Sequence, residues 1–128
     1  MTIAALVLAA LAALLHVYIF VLESVLWTTP RAQGVFGTTD DEAQVTRRLA
    51  FNQGFYNLFL AIAVVLGITF YAAGHHAVGA TLVFTGAGSM AAAALVLLLS
   101  SPDKRGAALK QGVVPALGVA ALAVGLLV

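Results

Sequence analysis

Six residues combine types and spacing that could do chemistry in this sequence: His16, Glu23, Asn52, Gln53, Tyr56 and Asn57. His16 and Glu23 are seven residues apart in an otherwise apolar run, so on a helix they share one face, two turns from each other. Either could move a proton or accept a hydrogen bond. The other four fall within "NQGFYN", directly after the arginine pair Arg47 and Arg48. Arg48, Asn52 and Tyr56 follow at intervals of four and share a face, and Gln53 and Asn57 share the adjacent one. The acid and the imidazole would supply charge or proton exchange. The amides and phenol would supply hydrogen bonds, either between helices or to a ligand.

The elements that carry these groups are membrane spans. The chain has 128 residues, 62% hydrophobic and 9% charged, whereas a soluble domain is nearer a quarter charged. Uncharged stretches run from Met1 to Leu22, from Leu49 to Pro102 and from Gln111 to Val128, each at least as long as a span requires. The first lacks the basic start of a leader peptide and extends beyond a leader's apolar length, so it is expected to be a span. The sequence therefore predicts one all-α domain over 1–128, an integral membrane four-helix bundle with helices at about 2–27, 40–73, 76–100 and 107–128. The segments "TTPRAQGVFGTT", "AAGHH" and "SSPDKRG" read as breaks. Thr39 and Glu42 have the spacing of a capping box at the start of the second helix, and Asp40 and Asp41 suit its dipole. Capping accounts for this acidic cluster better than a metal site does.

All six lysines and arginines fall between helices one and two or between helices three and four. The positive-inside rule puts both loops in the cytoplasm and both termini outside, with the bacterial inner membrane as the expected location. Counting rise per residue from Trp27, expected to be an interfacial anchor, Glu23 lies about 6 Å deep and His16 about 16 Å. Counting from Arg48, Asn52 lies about 6 Å deep and Asn57 about 13 Å. Glu23 is thus expected to meet Asn52 and Gln53, with His16 approaching Asn57. Gln111 begins the last helix at the same surface, and Pro115 follows one turn further in. Hydrogen bonds between helices explain one or two such groups. The whole set favours a polar ligand-binding pocket open to the cytoplasm, formed by His16, Glu23, Arg48, Asn52, Gln53, Tyr56, Asn57 and Gln111.

Other chemistry finds little support. There is no cysteine. His75 and His76 are adjacent and point apart on a helix, which disfavours a metal site. "GVFG" lacks the strand and third glycine of a dinucleotide loop. Nothing favours nucleic acid, and no cofactor is indicated. In the last two helices, Gly79, Gly86, Gly118 and Gly125 are expected to allow close packing, and Thr81, Thr85 and Ser89 form a hydroxyl stripe.

The stretches "HVYIFVLESVLWTTPRAQGVFG", "NQGFYNLFLA" and "QGVVPAL" together resemble the bacterial domain-of-unknown-function family thirteen-zero-four. That resemblance covers nearly the whole chain and implies a small four-span membrane protein. A fainter similarity is to the membrane-associated eicosanoid and glutathione metabolism superfamily, which implies a trimer with sites open to the cytoplasm. Arg48 and Asn52 match that superfamily's glutathione-contacting pattern, but Phe55 stands where its glutamate would be. Three functions follow as expectations. The first is a homo-oligomeric binder of a lipid-like or amphipathic ligand, a trimer by preference. The alternatives are a membrane enzyme related to the glutathione superfamily and a small proton-coupled carrier.

Overall fold

The computed structural model describes residues 1–127. Helix α1 spans Thr2–Phe20 and continues as a π-helical turn over Val21–Val25. Helix α2 covers Pro30–Phe36, α3 Asp40–Ala72 and α4 His76–Ser100; a 3₁₀ turn at Pro102–Lys104 then leads into α5, Arg105–Leu127. Four helices are long and apolar enough to cross a membrane: Thr2–Val25, Asp40–Ala72, His76–Ser100 and Pro102–Leu127. They pack in the ring order α1, α3, α4, α5, with α5 closing against α1.

What the bundle buries is unlike a soluble core. The buried residues of α1 are Ala5, Ala9, Ala12, Ala13, His16 and Ile19, while Ile3, Val7, Leu11 and Leu14 face outward. Small side chains face in and large apolar ones face out because lipid gives no hydrophobic drive to bury leucine. Close backbone approach supplies the packing instead. A Cβ on Gly86 would stand 2.6 Å from Val64 Cγ2, and one on Gly125 would stand 3.0 Å from Thr2 Oγ1. Gly118 lies against Ala9, where a Cβ would meet the backbone nitrogen at 3.3 Å. The expected glycine contacts of the last two helices are therefore made within one chain. The hydroxyl stripe turns back on its own helix, with Thr81 donating to Ala77 O at 2.8 Å and Thr85 to Thr81 O at 2.8 Å.

Helix α3 starts at a complete capping box. Glu42 N donates to Thr39 Oγ1 at 3.2 Å, and Thr39 N donates to the Glu42 carboxylate at 2.9 Å. The first loop departs from expectation. It contains α2, entered through Thr29 as N-cap and Pro30 at the first position, and closed by Gly37 in the left-handed region at φ 62°. Helix α1 also stops short of Trp27, ending its π turn at Val25, and α5 begins two residues before the expected 107. Position 128, the expected end of that helix, is outside the described residues.

Candidate functional site

The π turn at the end of α1 carries Glu23. Its wider winding is marked by Leu26 N donating to Val21 O at 3.0 Å, a five-residue step. Helix α3 meets this turn at Gly54, where an added Cβ would collide with Ser24 Oγ and stand 3.1 Å from both Glu23 Cβ and Phe20 O. Ser24 Oγ donates to Phe51 O at 2.9 Å, which clamps the turn to α3. Glycine is thus what allows α3 to come close enough for its amides to reach Glu23.

The amide that does so is Asn57. Its Nδ2 donates to Glu23 Oε2 at 2.8 Å and to Gln53 O at 3.2 Å. The expected partner level was Asn52 and Gln53, one turn nearer the surface. The depth count started from Trp27 as if it continued the helix, but Trp27 has left it. Trp27 itself is half-buried against the first loop and α3. Its Nε1 donates to Thr46 Oγ1 at 3.1 Å and its ring lies 5.2 Å from that of Phe36.

His16 is the one buried polar or charged residue of the described chain, at 2% exposure. Its Nδ1 lies 2.9 Å from Ala12 O. A carbonyl only accepts, so Nδ1 carries the proton and, in the neutral ring, Nε2 is left as an acceptor. No hydrogen bond joins His16 to Asn57, but both line one cleft of about 330 Å³, together with Glu23, Gln53 and Gln111. Leu60, Met90 and Leu97 supply its apolar wall, and Trp27, Phe36, Thr38 and Lys104 also border it. All four long helices and both basic loops contribute to this one space.

The remaining predicted site residues lie to the side of this cleft, although Asn52 and Tyr56 share with Glu23, Gln53, Thr38 and Lys104 a further, more open cleft of about 710 Å³. Arg48 and Asn52 line a neighbouring cleft of about 480 Å³ with Arg47 and Phe51, and Glu23 borders both spaces. Asn52 and Tyr56 also share an outer groove with Phe51, Phe55 and Phe59, and Tyr56 is 64% exposed. Two positions on one helix two residues from the Gly54 contact point away from it.

Two residues at the central cleft were not singled out from sequence. Lys104 entered only as a loop charge, yet its Nζ donates to Phe36 O at 3.0 Å and Gly37 O at 2.8 Å. It satisfies carbonyls at the end of α2, where a cation suits the helix dipole, and ties the two loops together beside the cleft. Thr38 has a buried Oγ1 with no protein partner. Nothing local in the sequence signals either role, since each depends on one loop folding against the other.

Fold and site together define a four-span, all-α membrane protein with a polar cleft at the loop end of its bundle. The chain belongs to the family of proteins of unknown function DUF1304, whose model matches residues 10–123. Neither a curated protein nor a solved structure matches it.

Proposed function

We propose that this protein binds an amphipathic small molecule in the central cleft, within the cytoplasmic half of a bacterial inner membrane, as a small homo-oligomer. The observation that carries this reading is the set of polar groups left without protein partners around one space. Glu23 Oε1, His16 Nε2 and the side-chain amides of Gln53 and Gln111 make no hydrogen bond among the described residues, and Thr38 Oγ1 is buried and unpaired. Polar groups that only held helices together would be expected to bond one another across the seam, as Asn57 does with Glu23, whereas these open onto one shared space. The apolar wall accommodates a tail and the polar rim a head, as in most small-molecule sites. The enzyme reading draws less support, since Phe55 packs its ring 5.1 Å from that of Phe20 where the glutathione superfamily has a carboxylate.

Native mass spectrometry from mild detergent tests both parts of the proposal. Oligomers carrying a retained non-protein mass are expected, and Ala93→Phe, which fills the cleft, should release that mass. Bare monomer across several detergents would overturn the reading. The orientation is tested separately, because the cleft end of the bundle is taken as cytoplasmic from the six lysines and arginines in its two connections and the helix starts that follow them. A reporter fused after Val128 should be active only if it folds outside the cytoplasm; activity confined to cytoplasmic reporters would reverse the topology.

A further inference from the structure

The cleft has a surplus of hydrogen-bond acceptors, and that surplus specifies the head group it would take. Glu23 accepts one hydrogen bond at Oε2 and none at Oε1. His16 Nε2 is a second acceptor, because Nδ1 is committed as donor to Ala12 O. Thr38 Oγ1 is a third unpaired group, a hydroxyl able to accept as well as donate. The Asn57 and Lys104 donors beside the cleft are already used. Asn57 Nδ2 serves Glu23 and Gln53 O, and Lys104 Nζ serves the carbonyls of Phe36 and Gly37. Gln53 and Gln111 each bring a donor group and an acceptor, so they do not redress the balance.

Charge points the same way. Among the described residues Glu23 is the only carboxylate lining the cleft; Lys104 also borders it, but its Nζ is turned to Phe36 O and Gly37 O, and the single ion pair is Lys104 with Asp103 at 3.8 Å, so no cation is paired with Glu23. From these observations we infer that the cleft selects a primary ammonium head carried on a short apolar tail, an inference that rests on the binding function proposed above. An ammonium offers three donors and the counter-charge for Glu23. An alcohol offers one donor and no charge. A carboxylate or phosphate head would bring a like charge against Glu23 and be rejected. At about 330 Å³ the space lies at the small end of ligand cavities, which suits a single tail against Leu60, Met90 and Leu97.

The test compares octylamine, octan-1-ol and octanoate on the purified protein in a non-ionic detergent, read as the shift in Tm. A ligand that binds only the folded state raises Tm with concentration. Octylamine should raise it by several degrees, octan-1-ol by less and octanoate not at all. Glu23→Gln should weaken the octylamine response at least tenfold in apparent affinity and leave that of octan-1-ol unchanged. Thr38→Val, a loop change of the same shape, should weaken octylamine several-fold, and so keeps the test open if the helix variant folds poorly. Ala93→Phe should remove every shift, locating the effect in the cleft. An octylamine response that is unchanged in both Glu23→Gln and Thr38→Val would overturn the inference. Stabilisation by octan-1-ol or octanoate without octylamine would overturn the ammonium assignment and leave the binding function standing. No shift with any probe, together with no retained mass, would overturn both.

Discussion

Gly79→Ala should lower the Tm of the bundle sharply, whereas Gly88→Ala, nine residues along the same helix, should leave it level or raise it. An added Cβ at Gly79 would stand 2.5 Å from Tyr71 N, 2.6 Å from Tyr71 Cβ and 2.7 Å from Gly67 O. Two of those three neighbours are backbone, so relief requires α3 and α4 to move apart. Gly67 faces the same crossing, where its own Cβ would stand 2.8 Å from Val83 N and 2.9 Å from Gly79 O. Overpacking of this kind typically costs about 1–3 kcal/mol. Removing a glycine from a helix returns about 0.5–1 kcal/mol, and only at Gly88, where nothing lies within 4 Å of the new Cβ, does that gain stand alone. Thermal unfolding in detergent followed by circular dichroism decides it, and equal effects from the two alanines would mean that α3 and α4 are not in close contact.

Asn57→Leu should cost about 2 kcal/mol or more and also abolish the proposed ligand binding. The change removes the hydrogen bond to Glu23 Oε2 and leaves the carboxylate without a protein donor. An acceptor deprived of its partner in this way costs about 1–3 kcal/mol, and more when it is charged. If that penalty is the cause, replacing both partners should relieve it. The double variant Glu23→Leu with Asn57→Leu is therefore expected to be more stable than Asn57→Leu alone, because an apolar pair leaves nothing unsatisfied. Ligand retention should nevertheless be absent in the double variant, which also lacks the Glu23 carboxylate proposed to recognise the head. A double variant no more stable than the single one would place the role of Asn57 elsewhere, in its bond to Gln53 O or in packing.

Much of this arrangement is legible along the chain because lipid is a demanding solvent. Uncharged runs long enough to span, breaks rich in proline and glycine, and basic residues gathered around two of the breaks mark four helices without any knowledge of their packing. The capping box at Thr39 and Glu42 is equally local, since both partners lie within one turn. Helix α2 is not read from the sequence: Pro30, Gly34 and Gly37 mark a break, and the same Thr29-Pro30 start and Gly37 close also bound a helix of seven residues. The gathering of Glu23, His16 and the amides towards one end follows from their positions in runs that can only be helices.

What the sequence by itself determined is therefore the class of the molecule, the number of its spans and the end of the bundle at which its polar groups collect, because each rests on the cost of charge and unpaired backbone in lipid. Which of those groups meet was decided only by the tertiary structure. The π turn and the close approach at Gly54 set the register that pairs Glu23 with Asn57 and turns Asn52 and Tyr56 to the flank. The docking of one loop on the other brings Lys104 to Phe36 and Gly37 and leaves Thr38 Oγ1 unpaired beside the cleft. A shift of one residue along a helix turns a side chain by about 100°, and no local pattern records which rotation a neighbouring helix will require.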